Sequence, residues 1–193
     1  MPFLLFSSLP NPTMPYHDLH VRFRLPKDRL AQLGFASASI AGEQVEEKVV
    51  KGAADMNAHP SKGKISVLSG ENAELLRKGV KRYDMIFVSS FYPDTALIRE
   101  VAEEGKAFEV PVSGLLRSYG YSRAALLGRM QFFLELCVKY NANYVLTSRA
   151  ESVYEMKGVD EMVSLGWALG LNPGQVKRAL SVVPERVLEK VEK

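Results

Sequence analysis

Histidine is scarce in this 193-residue chain. His17, His20 and His59 are the only three, and Cys137 is the only cysteine. Two of the histidines fall in the string His17-Asp18-Leu19-His20-Val21-Arg22. Alternate residues of a strand point the same way, so His20 and Arg22 share one side. Two imidazoles at that spacing would converge on a metal ion. A guanidinium is permanently charged and cannot ligate a cation. The pair therefore reads as an anion contact at a strand end, and neither a metal site nor a catalytic residue is assigned.

Other catalytic spacings are missing. The chain has no phosphate loop of the GxxxxGK type, no GxGxxG fingerprint and no GxSxG elbow. A lone cysteine excludes a cysteine-based zinc site and an internal disulfide framework. Cys137 lies in an apolar helical pattern, which marks it as a buried structural thiol in a reducing cytoplasm. No apolar run reaches the ~20 residues of a membrane span. The apolar run Phe3–Phe6 lacks a basic flank and is too short for a signal peptide. With prolines at 10, 12 and 15, residues 1–15 read as an extended arm, and Met14 is a second candidate start.

The elements that must position these residues follow from periodicity. Apolar runs at His17–Phe23, Phe35–Ile40, Lys64–Ser69, Met85–Ser90, Ala107–Val112 and Tyr144–Ser148 predict strands, several of them covered on both faces. Helical patterns fall between them at Pro26–Leu33, Gln44–Lys51, Asn72–Arg82, Asp94–Glu104 and Ser122–Lys139. That alternation predicts a parallel sheet with outer helices. In Ser122–Lys139, Leu126, Met130, Phe133 and Cys137 form a buried stripe, widened by Leu127, Phe132, Leu134 and Val138. Gly170 ends the next helix. Asn172, Pro173 and Gln175 supply an N-cap, an N1 proline and a capping-box acceptor, and Pro184 opens the last helix.

Lys plus Arg total 25 against 22 Asp plus Glu, a formal charge of +3. This mild excess permits a nucleic-acid partner without requiring one. It is unevenly spread. Residues 61–82 hold six cations and two acids, while 94–109 hold two cations and five acids. Segregation of this kind makes one positive face, or a set of solvated helix faces.

The string HDLHVR resembles the first motif of the polymerase and histidinol phosphatase superfamily, with Arg22 at the second histidine position. A longer resemblance covers about eighty residues of the C-terminal half. An ordered series runs through Leu115 and Leu116, Arg123, Thr147-Ser148-Arg149-Ala150, Lys157, Leu165-Gly166 and Pro184-Glu185. It is similar to the barrel-type subunit family of archaeal ribonuclease P, which has a thirty-kilodalton eukaryotic relative. Two departures stand out. The family fits a strand and helix where this chain has only residues 41–64, and it carries Arg-Pro where this chain has Ser113-Gly114, leaving Arg117 as a replacement phosphate contact.

The resemblance implies an α/β fold: a single TIM-barrel-like domain over 16–193, its closure left open by the short 41–64 segment, with six or seven mainly parallel strands. It implies a subunit that binds the catalytic RNA, supports 5′-leader removal from precursor tRNA and pairs with a small ferredoxin-like protein subunit. The chain itself binds no cofactor, and magnesium serves the RNA. Such a scaffold needs cations at loop tips and helix starts. The RNA-contact candidates are Arg123, Arg149 and Lys157, then Arg22, Arg117 and Lys177, each with a surface salt bridge as its alternative. Tyr119 and Tyr121 flank Gly120 and either stack on bases or anchor a turn. The rival readings are a metal-dependent phosphoesterase on the same barrel, which needs ligands beyond His20, and a small-molecule-binding barrel, which needs an apolar pocket at the strand ends.

Overall fold

The computed structural model describes residues 15–57 and 59–191. Most of the arm expected over 1–15 lies outside the described residues. Among these residues seven strands run in chain order: β1 (His17–Val21), β2 (Ser37–Ile40), β3 (Val45–Val50), β4 (Ile65–Gly70), β5 (Met85–Val88), β6 (Ala107–Pro111) and β7 (Asn143–Thr147). Every ladder between them is parallel. Helices lie between and after the strands: α1 (Lys27–Gln32), α2 (Ala73–Gly79), α3 (Thr95–Glu103), α4 (Ser113–Arg117), α5 (Gly120–Lys139), α6 (Val159–Ala168), α7 (Pro173–Lys177) and α8 (Val183–Val191). A π turn, Arg178–Val182, joins the last two. No described helix is long and apolar enough to cross a membrane.

The sheet is an incompletely closed barrel. β3 to β7 form one five-stranded sheet and β1 with β2 a second. Short contacts stitch both seams. Ala41 bridges to Val45 between β2 and β3. Between β7 and β1, Arg149 N–H donates to His20 O at 2.9 Å and Arg22 N–H to Ala150 O at 2.8 Å.

β3 corrects the helix expected over Gln44–Lys51. Glu46, Glu47 and Lys48 have helix-favouring side chains, but helix propensity is a weak prior that tertiary pairing overrides. All six residues of β3 pair in register with Ile65–Gly70. The strand that the family resemblance expects within residues 41–64 is thus present, and a short 3-10 turn, Ala53–Asn57, follows it.

Alternation along the strands builds two apolar layers. Leu19, Val45, Ile65, Val67, Met85, Ala107 and Val145 fill the interior, joined by Val183 and Val187 of α8. Lys190 of α8 donates to Gly105 O just before β6, so α8 closes the amino-terminal end of the barrel. Leu68, Ile86, Phe108, Val110 and Leu146 face outward against the helices. There Phe133 meets Phe108 and Phe91 edge-on at 5.0 and 5.7 Å. Met130, Phe133, Leu134 and Cys137 of α5 are buried, and burial pushes the Cys137 thiol well above its ordinary range. Phe132 and Val138, expected to widen this stripe, are exposed, because α5 packs on one side only.

Side-chain caps mark the starts of α2, α3 and α7. Asn72 and Asp94 accept from the third backbone N–H that follows each of them. Asn172 and Gln175 form the expected capping box. Gly170 closes α6 at φ 85°.

Candidate site at the carboxyl end of the barrel

Closure of one end by α8 leaves the carboxyl ends of the strands as the mouth, where barrel enzymes place their chemistry. A buried charge cluster fills it. Glu109 points inward from β6 and is fully buried. Arg149, just past β7, donates to both its oxygens, from Nε to Oε1 at 2.8 Å and from Nη2 to Oε2. Thr147 Oγ1 donates to Oε1 at 2.8 Å, and His20 Nδ1 lies 2.9 Å from the same oxygen. Burial alone would raise this carboxyl. The charges of His20 and Arg149 and their hydrogen bonds outweigh it and hold Glu109 well below the usual carboxylate range.

Arg149 is held from all sides. Nη1 reaches Glu47 Oε1 of β3 at 3.0 Å, and the guanidinium lies 4.2 Å from the Phe87 ring centroid. Its backbone is left-handed, with φ 46°, a strained value for a residue with a side chain. Deeper in, Asp18 accepts from Ser148 N–H at 3.1 Å and from His20 N–H at 3.3 Å. Complete burial pushes its carboxyl up to about 6 despite those bonds.

Two further arginines rim the cluster. Arg22 bonds Glu47 and Glu151, each at 3.2 Å. Arg117 of α4 bonds Glu155 at 2.6 and 3.1 Å and Glu151 at 3.1 Å. Between them opens a cleft of about 170 Å³, lined by Arg22, Phe87, Ser89, Ser113, Arg117 and Arg149. Three guanidinium groups thus face four carboxylates, and the mouth has no excess of positive charge. Among the described residues no three His, Cys, Asp or Glu side chains are placed to share a metal ion.

The structure gathers Arg22, Arg117 and Arg149 into this cluster. Arg123 stands nearby in the first turn of α5, where Nε donates to Ser118 O at 2.7 Å and the guanidinium lies 5.6 Å from the Tyr119 ring centroid. Lys157 lies 3.8 Å from Glu161, and Lys177 sits half-buried on α7 outside the ring of ion pairs. Sequence reasoning missed the carboxylates Asp18, Glu47 and Glu109. A signal existed for Glu109: it is a lone acid inside the buried run Ala107–Pro111, and such an acid needs a cationic partner.

The family model described as RNase P subunit p30 matches residues 61–193. Ribonuclease P protein component 3 of Methanosarcina acetivorans is 35% identical over 94 residues, covering 49% of this chain and 39% of the relative. Its counterpart in Methanothermobacter thermautotrophicus is 25% identical over 141 residues, covering 69% and 58%. The matches with these two relatives thus span less than two thirds of the relatives' own length. Among solved structures, a chain from the cryo-EM structure of archaeal Ribonuclease P with mature tRNA superposes with TM-score 0.67 at 16% identity, covering 92% of this chain and 82% of that one. A Xaa-Pro dipeptidase superposes at 0.58 and 10% identity, covering 93% and 76%, which shows that the fold is shared with barrel hydrolases. The segment Thr147–Ala150, which carries part of the sequence resemblance, is the one that builds the charged mouth, and the chain belongs to the RNase P subunit p30 family.

Proposed function

We propose that this chain is a protein subunit of ribonuclease P that binds the catalytic RNA and supports removal of the 5′ leader from precursor tRNA. The match of the family model over residues 61–193 carries this reading. The chemistry of the mouth supports a scaffold role. Where a barrel hydrolase would hold reactive groups, Glu109 is committed to Arg149, Thr147 and His20, and the lone thiol is buried in the helix layer. The bond is cut by the RNA with its own magnesium ions, and the chain binds no cofactor. Its partners are the ribonuclease P RNA, a small ferredoxin-like protein subunit and, through the RNA, precursor tRNA. It works in the cytoplasm.

Reconstitution tests this. The ribonuclease P RNA and the remaining protein subunits are assembled with and without the chain, and precursor-tRNA cleavage is followed across a magnesium series. Cleavage at low magnesium should require the chain, and the chain alone should cut nothing. Cleavage indifferent to the chain, with no association between chain and RNA, would overturn the reading.

A further inference from the structure

The rim of the mouth exposes aromatic rings. Tyr92 follows β5, Tyr119 and Tyr121 follow β6, and Tyr154 follows β7; they are 66, 78, 87 and 90% exposed. Single apolar groups on a surface need no explanation, but four rings in the segments that follow three consecutive strands at one end of a barrel do. The chain buries other tyrosines well, among them Tyr16, Tyr83 and Tyr144. The backbone holds the rim rings outward. Phe91 is left-handed at φ 52° with its own ring buried against Phe87 and Phe133, and Tyr92 follows it into solvent. Gly120, at φ 50°, separates Tyr119 from Tyr121. A side chain in place of Gly120 would be strained there.

The centre of the mouth offers little to a phosphate, since Arg22, Arg117 and Arg149 are already engaged by carboxylates. What stays open around it is ring surface, with a guanidinium over Tyr119 (Arg123) and another over Tyr92 (Arg129), each 5.6 Å from the centroid. Flat aromatic faces flanked by guanidinium planes suit unpaired nucleobases. Bases stack on both, and the cation offsets the neighbouring phosphate. Paired RNA keeps its bases inside the helix and cannot use such a surface.

We propose that Tyr92, Tyr119, Tyr121 and Tyr154 form a stacking surface for unpaired nucleotides of RNA. This rests on the reading of the chain as an RNA-binding subunit and adds the form of RNA and the mode of contact. The test uses a fluorescein-labelled, unstructured RNA of twelve nucleotides, alone and annealed to its complement. Anisotropy is read over a salt series for the wild type, Tyr121→Ala/Tyr154→Ala and Tyr121→Phe/Tyr154→Phe, with thermal melts of each. The wild type should prefer the single strand. The alanine pair should bind it about tenfold more weakly or worse, because base–aromatic stacking is lost. The slope of log affinity against log salt should not change, because no cation is removed. The phenylalanine pair should keep wild-type affinity, and the melts should coincide.

Wild-type affinity in the alanine pair overturns the stacking surface while leaving the RNA-binding reading standing, and assigns the rings to a protein contact. Preference for the duplex, or a phenylalanine pair as weak as the alanine pair, overturns it as well. Failure of the wild type to bind either RNA or the full ribonuclease P RNA overturns both readings.

Discussion

Arg149 and Glu109 face each other in the barrel interior through two parallel hydrogen bonds, a fork-to-fork pairing with almost no access to water. The strand register makes the pair possible. β6 and β7 run in parallel with Glu109 opposite Val145, which brings the residues just past Thr147 over the inward carboxylate. His20 and Glu47 arrive from β1 and β3, so four strands meet on one charge cluster.

Such a pair is costly to break because the surviving partner stays buried and charged. Arg149→Met should lower stability by about 3–5 kcal/mol. Arg149→Met/Glu109→Gln should recover a large part, since the unpaired carboxylate is gone. Urea unfolding of the three proteins measures this. A single variant as stable as the wild type would mean that Arg149 serves only an external ligand.

Asp18 gives stability a pH dependence of opposite sign to that of Glu109. Burial raises the Asp18 carboxyl from 3.8 to about 6 in the folded state. Between those values the folded chain binds more protons than the unfolded one, so this contribution is full below about 3.8 and is lost as pH rises through 6. Glu109 is depressed, so its contribution is present above its unfolded value of about 4.5 and lost as pH falls below it. Asp18→Asn retains an acceptor oxygen for Ser148 and His20. It should stabilise the fold at pH 7 by about 2–3 kcal/mol, the order expected from the raised value. Chemical denaturation at pH 5 and pH 7 reads the effect. A gain equal at the two pH values would show that the charge of Asp18 is not its source.

Six of the seven strands among the described residues were legible from apolar runs, since strands covered on both faces leave little ambiguity. β3 was not, because its core contacts come from Val45 and Val50 at its two ends, with Glu46, Glu47 and Lys48 between. The cations of the mouth were legible as residue types. Their partners were not. Arg149 meets Glu109 across 40 positions of sequence and Arg117 meets Glu155 across 38, distances at which no local pattern couples charges. The salt-bridge alternative stated for Arg22, Arg117 and Arg149 therefore had no partner that the sequence alone could name.

The loop contact made by Arg123 and the RNA contact proposed for it can be separated. Its Nε anchors the loop before α5 through Ser118 O, while its guanidinium lies over the exposed Tyr119 ring. Arg123→Ala should cost about 1 kcal/mol for the lost hydrogen bond. It should also flatten the dependence of log affinity on log salt by about one unit or slightly less for the ribonuclease P RNA. Thermal melts and binding across a salt series measure both. An unchanged slope would restrict Arg123 to the loop.

Two helical glycines should respond to the same substitution in opposite directions. Gly166 faces α7, and a Cβ built there would lie 2.6 Å from Val176 Cγ2, 3.1 Å from its Cγ1 and 3.4 Å from Leu146 Cδ1. Val176 is β-branched and cannot swing aside without leaving its rotamer, and Leu146 sits in the outer core. The Leu165-Gly166 step of the family pattern thus has a packing cause: α6 and α7 approach too closely for a methyl group. Gly166→Ala should destabilise by about 1–3 kcal/mol through overpacking. Gly128, inside α5, has nothing within 4 Å of its would-be Cβ and an ordinary helical backbone. Gly128→Ala should stabilise by about 0.5–1 kcal/mol, because alanine restricts the unfolded chain and favours the helix. Parallel urea titrations of the two variants give the sign of each change. A Gly166→Ala protein at least as stable as the wild type would show that α7 can shift away from α6, and would remove close packing as the reason for glycine at this position.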